Sequence, residues 1–420
     1  MRTFGKTMRN SLPAVGLGLL GALGFASVTV ATAPAATAQV TAKKEFVENF
    51  NAANAALQGR KFAEAIQKAD AAWPHATTTQ QKAAVEQIRV SARCDTRQND
   101  HKACIDAIEK AKGTGGLPAQ LVRNYDEMLA GRYESAGQSA KALAQTKANI
   151  SKYGGTGQQL AFVARKELEA KNYNEAIKFI NQAIAKGSSG SAQYNILLNA
   201  YAGQNKMDEF YKTVERIAPS MKQDTYWRML IERTKKEANY RSNDALLDVY
   251  RALQAAGVKL STTELNEMAD AARKRGLAIE AVNIWEPLFK SGALGGAGDK
   301  EAARNKSLFE AVKKDAQADL GGELAKSEAD AATRVSGDAL ADVAEAYLAS
   351  GNATKAIEIF QKALDKGQMD AGKTDLVKLR MGVAQFQAKK KSDATKTWQS
   401  IKSENGAAWL AKSWIAIAKM

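Results

Sequence analysis

A pattern of paired amphipathic helices returns along most of the chain, and it limits the possible folds more than any other feature. Between residues 340 and 364, apolar residues recur three and four positions apart on two successive stretches, which predicts two helices with one apolar face each. Ser350-Gly351-Asn352 separates the stretches. Small Ala344 and Ala356 allow the helices to approach closely. Because such a pair cannot bury its apolar face alone, the pattern predicts hairpins that stack on one another.

The hairpins resemble the tetratricopeptide repeat, in which a residue early in the second helix, usually small, marks each unit. The second helix of this unit has good copies at Tyr173–Ile184 and at Phe62–Ile66. The marker residue stands at positions 65, 104, 136, 176, 210, 245, 281, 356 and 394. The long interval between 281 and 356 hides one degenerate unit between residues 308 and 335. With that unit included, the spacing averages about 37 residues, close to the ~34 of this class.

The resemblance implies an all-α fold, a right-handed superhelical solenoid of about ten antiparallel helix pairs whose concave face binds peptides or partner proteins. The low count of six prolines agrees with long uninterrupted helices. A glycine-rich stretch, Ser291–Asp299, predicts a hinge between an N-terminal array, residues 39–291, and a C-terminal array, residues 299–420. The last helix, residues 407–417, is expected to cap the stack, because its final apolar face would otherwise meet water.

The N-terminus predicts a secretory signal peptide over residues 1–38. Arg2, Lys6 and Arg9 precede the apolar stretch Leu12–Val30, and Ala36-Thr37-Ala38 fits a cleavage site. The alternative is an uncleaved membrane anchor, since the stretch nearly reaches spanning length. We therefore expect an exported protein of the periplasm, cleaved near Ala38.

Cys94 and Cys104 stand symmetrically about a short break between two expected helices. Export would place them in an oxidising compartment, so the sequence predicts a structural disulfide between them. The alternative is that both are small buried side chains that pack like alanine.

Residues that could carry chemistry are scarce, so we expect no enzyme, no cofactor and no metal site. The chain has two histidines, too few for a histidine-based metal site or catalytic group. Residues 367–374 match the phosphate-binding pattern G-x-x-x-x-G-K-T. That pattern needs a preceding buried strand, whereas residues 357–366 have helical periodicity, which predicts a turn between repeats.

The middle of the chain is the expected binding region. The formal charge is +15, and residues 137–240 hold 16 basic against 9 acidic residues. Ten of the eleven tyrosines lie between Tyr125 and Tyr250 in the same region, and tyrosine is favoured at binding hot spots. The alternative for most of these tyrosines is packing between helices.

The repeat register projects four residues toward the concave side of their first helices. They are Tyr125, Arg165, Asn195 and Asn199, and the two asparagines could bond the backbone of an extended peptide. The alternative is a solvated polar face.

We expect a non-catalytic scaffold for protein or peptide partners, and no nucleic acid. The second hypothesis is an envelope-organising protein that binds anionic cell-wall polymer or lipid through its basic surface, with Lys389–Lys391 contributing.

Overall fold

A computed structural model describes residues 43–95, 99–221, 223–236, 243–404 and 406–420. Every regular element in these residues is helical, which confirms the all-α prediction. The predicted signal peptide, residues 1–38, lies outside the described residues. Contacts divide the chain into two compact units, one ending at Tyr125 and one beginning at Asp126.

The first unit consists of two helix pairs and the beginning of a third. Its helices are α1 (Lys44–Gln58), α2 (Phe62–Ala72), α3 (Thr79–Arg93) and α4 (His101–Thr114), and α5 (Ala119–Ser135) contains the boundary between the units. Small side chains let α1 and α2 approach closely, since Ala53, Ala65 and Ala69 are fully buried between apolar neighbours.

The second unit contains the remaining helices. They are α6 (Ser139–Tyr153), α7 (Gly157–Glu169), α8 (Tyr173–Ala185), α9 (Ser191–Gly203), α10 (Met207–Met221), α11 (Asp224–Ile231), α12 (Asn243–Ala255), α13 (Thr262–Lys274), α14 (Ala278–Lys290), α15 (Ala302–Ala318), α16 (Leu324–Thr333), α17 (Asp338–Ala349), α18 (Ala353–Lys366), α19 (Ala371–Gln387), α20 (Lys391–Gln399) and α21 (Gly406–Ala418). A 3-10 segment, Glu232–Lys236, follows α11.

One turn conformation recurs inside the helix pairs and fixes their register. A single residue of each turn has φ between 57° and 84°, and these turn residues are Arg60, Gly137, Lys171, Asn205, Gly276, Gly351 and Lys389. The next N–H in each turn donates to the carbonyl five residues before it, as in the Schellman motif that ends many helices. From Gly137 through Lys171 to Asn205 the spacing is 34 residues each time. The helix pairs therefore form a tetratricopeptide-like repeat array.

The marker residue lies five positions after each turn residue. The resulting markers are Ala65, Ala142, Ala176, Phe210, Ala281, Ala356 and Ala394, and the six alanines are fully buried. The predicted marker at position 136 is wrong, because Ala136 lies directly before turn residue Gly137 and the buried alanine is Ala142. Several alanines stand between residues 136 and 142, so composition alone did not distinguish the two registers.

The degenerate unit occurs where it was expected, as α15 and α16. The two helices are joined by Asp319–Glu323, in which Gly322 has φ 113°. Ala331 is the one buried side chain of α16. The Phe289 ring of α14 stacks on the Phe309 ring of α15, with centroids 4.4 Å apart, across the glycine-rich stretch 291–299. Both flanks of this stretch belong to the second unit, and the division into two arrays there stays a prediction.

The second unit folds back on itself. Helix α21 packs on α19 and α20, as expected of a cap, but it also contacts α10, α11 and α12. In a simple repeat array each unit contacts only its neighbours in sequence. The return of α21 to helices some two hundred residues earlier was not predicted.

Candidate functional site

Three successive repeats leave the same position open. The position lies six residues before the turn residue, and in α5, α7 and α9 it is occupied by Gly131, Arg165 and Asn199, which we call the open row. Gly131 and Asn199 are exposed, and the Arg165 side chain is 39% exposed. A Cβ placed on Gly131 would meet no atom within 4 Å, so the space beside α5 is free. The row is therefore accessible along three consecutive repeats.

Ion pairs between neighbouring helices hold α7 in place behind the row. The Lys166 ammonium lies 2.7 Å from Glu134 of α5, and the Lys147 ammonium of α6 lies 2.5 Å from Glu167. Burial raises the pKa of the Glu134 carboxyl, but hydrogen bonds from Lys166 and Ser139 hold it below its ordinary value. The hydrogen bond from Lys147 likewise lowers the pKa of Glu167. These carboxylates stay charged at neutral pH and fix the orientation of α7.

Arg165 itself remains available on the surface. Its guanidinium approaches Glu169 to 3.6 Å, one helical turn away, in a pair that is exposed on both sides. The guanidinium carbon also lies 5.6 Å from the centre of the Phe162 ring. Exposed pairs of this kind are weak, so an incoming carboxylate can compete for the guanidinium.

Asn195 has a structural partner in the next repeat. The buried Tyr226 of α11 donates its hydroxyl to the Asn195 amide oxygen at 3.1 Å. Burial raises the pKa of that phenol, which therefore stays protonated and a donor. Asn195 thus fixes α11 against α9, whereas Asn199, one turn further on, faces solvent.

Tyr125 does not lie on an exposed face. The side chain is 4% exposed, and burial together with the nearby Glu86 carboxylate raises the pKa of its phenol. The sequence predicts the concave side for Tyr125 only if Ala136 is the marker of its repeat. With Ala142 as the marker the register shifts by six residues, which turns Tyr125 toward the core and assigns the open position to Gly131.

The other tyrosines of this region are mainly packing residues. None of those that the structure describes between residues 125 and 250 is exposed, and the buried ones are Tyr125, Tyr133, Tyr194, Tyr226 and Tyr250. The enrichment of tyrosine in this region is therefore accounted for by contacts between helices.

The same repeat position is closed in the C-terminal part of the second unit. It is occupied in α17 by Glu345, which is 2% exposed and belongs to a set of six paired charges from distant helices. We call this set the closure network, and its members are Asp248, Arg251, Arg275, Glu280, Glu345 and Arg380. Its three cations balance its three anions. Sequence reasoning missed it, although the charged pair Asp248 and Arg251 stands out in the apolar stretch of α12.

The contacts of the network join helices that are remote in sequence. Arg251 of α12 lies 2.9 Å from Glu345, 94 residues later, and Arg380 of α19 lies 2.9 Å from Asp248, 132 residues earlier. Arg275 also pairs with Glu345. Burial opposes the charge of Glu345, but the three arginines, Arg380 first, lower the pKa of its carboxyl to about 2. Glu345 is therefore ionised at neutral pH, and the network closes the second unit on itself.

A cleft of about 250 Å³ opens beside the network, lined by Arg251, Glu280, Asn283, Gln387 and the turn 348–351. The charges of Arg251 and Glu280 are already paired across it, with the Arg251 Nε 2.8 Å from the glutamate. The cleft therefore offers no uncompensated charge to a ligand.

The phosphate-binding pattern at residues 367–374 is a turn between two helices. Helix α18 precedes it, Gly367 has φ 65°, and the Asp370 carboxylate accepts from the Lys373 N–H at the start of α19. The Lys373 ammonium lies 3.1 Å from Asp342. No strand feeds this loop, so the geometry of a phosphate cradle is missing there.

Cys94 and Cys104 are bonded to each other, with their Cα atoms 4.6 Å apart. The disulfide joins the end of α3 to the first turn of α4.

Within the described residues, no three His, Cys, Asp or Glu side chains are grouped so that they could hold a metal ion. No helix in that part of the chain combines the length and the apolar character needed to cross a bilayer.

Comparisons with known proteins give weak similarity. No family model and no curated protein matches the sequence. A solved tetratricopeptide repeat protein from Parabacteroides merdae is 12% identical over 81% of this chain and 100% of its own, with a TM-score of 0.32. A chain from the structure of Naa15/Naa10 bound to HypK-THB is 13% identical over 87% of this chain and 60% of its own, with a TM-score of 0.36. Since both scores are low, the repeat assignment rests on the turns and markers described above.

Proposed function

We propose that the protein is an exported, non-catalytic scaffold that binds an extended segment of a partner protein along the open row. The observation that carries the proposal is the contrast between repeats at one position. Arg165 and Asn199 are accessible, whereas Glu345 at the equivalent position is sealed in the closure network. The repeat register supports a position on the concave side, the side on which tetratricopeptide arrays bind their partners.

The chemistry of the row favours a segment in extended conformation that carries an acidic group. The Asn199 amide can donate to and accept from the peptide backbone, as in other extended-peptide sites. The Arg165 guanidinium can hold a carboxylate in a bidentate pair. Gly131, which has no side chain, leaves room for the peptide beside α5. The three positions are 34 residues apart, so a single segment would cross three repeats.

The N-terminal pattern of basic residues, apolar stretch and small residues supports placing this activity outside the cytoplasm, in the periplasm. Acidic partners there include protein segments and anionic cell-wall polymers. The row contains a specific amide beside the cation, which favours a protein partner over a polymer held by charge alone.

The test compares two double variants of residues 39–420. Arg165→Ala with Asn199→Ala removes the polar groups of the open row. Lys178→Ala with Asn181→Ala makes a similar change on the exposed surface of α8. Each protein is immobilised and exposed to envelope extract at low and high salt, and the bound proteins are quantified.

We expect the row variant to bind at least tenfold less partner protein than the wild type does. The α8 variant should bind as much as the wild type. Equal recovery by both variants would contradict the assignment of the site. Binding that disappears equally from all proteins at high salt would instead support the basic-surface hypothesis, because surface charge is screened by salt.

A further inference from the structure

A second row of residues runs beside the open row in the same three repeats. It lies nine residues before each turn residue, one helical turn before the open-row position. Its members, which we call the apolar row, are Met128 in α5, Phe162 in α7 and Ile196 in α9. Residues three apart on a helix share a face, so the two rows lie side by side, about 4.5 Å apart along each helix axis.

The side chains of the apolar row are partly exposed in all three helices. In α7 the Phe162 ring has the Arg165 guanidinium carbon and the Lys166 ammonium each 5.6 Å from its centre. Packing inside the array accounts for the covered part of each side chain. The open part gains free energy when a ligand covers it, because apolar surface then leaves water. The row therefore offers apolar contacts directly beside the cationic group of the open row.

The two rows coincide in these repeats alone among the described repeats with the turn residues named above. At the same position α1 has Asn51, α13 has Glu267 and α17 has Asp342, and all three are polar and exposed. In α19 the position is occupied by Arg380, which is buried in the closure network. The position thus accepts polar residues elsewhere in the array, so the fold does not require an apolar one. A contact with a partner explains why it is apolar where the open row is accessible.

The distance between neighbouring first helices sets the spacing that a bound segment has to match. Helix α7 packs on α9, and the ion pair of Lys166 with Glu134 joins α7 to α5. Packed helices have axes about 8–10 Å apart. A polyproline II helix rises about 3.1 Å per residue and has three residues per turn, so the same face returns every ~9 Å. A β-strand presents the same face about every 6.6 Å and does not match this spacing.

We infer that the partner segment binds in the polyproline II conformation, with an apolar side chain at every third residue and an acidic residue next to the central one. The apolar side chains contact Met128, Phe162 and Ile196, and the acidic residue pairs with Arg165. Prolines between the apolar residues favour this conformation and reduce the entropy lost on binding. The inference rests on the proposed function and adds the class of sequence that the site selects. Phe162, the central member of the row, determines that selection.

Fluorescence anisotropy tests the inference with two labelled peptides of the same composition. The first carries leucine at every third residue, prolines between the leucines and a glutamate beside the central leucine. The second contains the same residues with the leucines two positions apart. Each peptide is titrated with residues 39–420 of the protein, as wild type and as three single variants.

The variants are Phe162→Gln, Phe162→Leu and Phe179→Gln. Phe162→Leu keeps an apolar side chain and so separates the loss of the contact from a loss of folding. Phe179 provides the matched control, because it is also partly exposed, lies on the second helix α8 and has the Lys178 ammonium 5.4 Å from its ring centre. Circular dichroism establishes that each variant is folded before its affinity is measured.

We expect the wild type to bind the first peptide at least tenfold more tightly than the second. Phe162→Gln should weaken binding of the first peptide at least fivefold, whereas Phe162→Leu and Phe179→Gln should stay within twofold of the wild type. Equal affinity of the wild type for the two peptides would overturn the inference. The absence of saturable binding of the first peptide, or unchanged binding by Phe162→Gln, would overturn it as well.

The pull-down from envelope extract separates this inference from the proposed function. If Arg165→Ala with Asn199→Ala loses the partner while the wild type does not distinguish the two peptides, the open row binds a segment of another kind and the inference alone fails. If that double variant retains the partner, the proposed function itself is contradicted.

Discussion

Replacing Glu345 by glutamine should destabilise the second unit through the loss of one charge. The side chain keeps its size, but three buried arginines are left with two carboxylates, since Glu345 pairs with Arg251, Arg275 and Arg380. Removing one partner of a buried ion pair typically costs about 3–5 kcal/mol, because an uncompensated charge remains in the interior.

The pKa of Glu345 gives a second measure of the same effect. The network lowers it from 4.5 to about 2. A lowering of this order corresponds to about 3 kcal/mol of stability at neutral pH. Because the folded-state pKa is depressed, this contribution is complete above about pH 4.5 and is lost as the pH falls toward 2. The difference between wild type and Glu345→Gln should therefore shrink over that window, since the variant has no carboxylate to titrate.

Urea unfolding followed by tryptophan fluorescence measures the effect, because five of the six tryptophans lie in the second unit. The matched control is Glu358→Gln on α18, whose carboxylate is half-exposed and pairs with surface lysines, so we expect no measurable change. A loss below about 1 kcal/mol at pH 7 would refute the reasoning, given the range expected for a buried pair. So would a difference between wild type and variant that does not depend on pH between 5 and 2.

Two further predictions concern single contacts. Replacing Cys94 and Cys104 by alanine should lower the stability of the first unit by about 2.5 kcal/mol, the loop-closure contribution of a disulfide spanning ten residues. Urea unfolding with and without reductant checks this, and reductant should affect the wild type alone. Gly382→Ala should cost about 1–3 kcal/mol, because the new Cβ would lie 2.1 Å from the Trp398 indole nitrogen. Gly298→Ala is its control in the same thermal unfolding assay, since no atom lies within 4 Å there.

The sequence predicted the helix pairs because their determinants are local. Apolar spacing, a small marker and a turn residue all lie within some 34 residues, and the stretch 340–364 contains each of them. The degenerate unit was located in the same way, from the one interval too long for a single repeat. Local patterns therefore determined the type and the order of the elements.

The register failed where the local pattern was ambiguous. Ala136 and Ala142 both fit a marker, and only the positive φ of Gly137 decides between them. The six-residue shift carries Tyr125 from the expected binding face into the core. The register of Arg165 and Asn199 does not change, because the predicted markers at positions 176 and 210 lie five residues after the turn residues Lys171 and Asn205. A single turn residue thus determines which side chains of a repeat reach solvent.

The closure of the second unit could not be read from repeats, because its partners are 94 and 132 residues apart. What the sequence does contain is a local inconsistency, because Asp248 and Arg251 interrupt the apolar stretch of α12 between residues 245 and 253. Charges on a buried helix face require partners, so such a pair indicates a long-range contact even when the partner cannot be identified.

The exposure of Arg165 and the burial of Glu345 at the same repeat position have a common physical basis. A charge at this repeat position must be either hydrated or paired, because leaving it buried alone is costly. In α7 the Arg165 guanidinium is partly exposed and pairs only with the exposed Glu169, whereas in α17 the Glu345 carboxylate has three arginines from the same chain. A partner that approached Glu345 would have to displace those arginines, while one that approached Arg165 displaces only water and a weak surface pair. The proposed binding therefore needs repeats in which this position stays exposed, as it does in α5, α7 and α9.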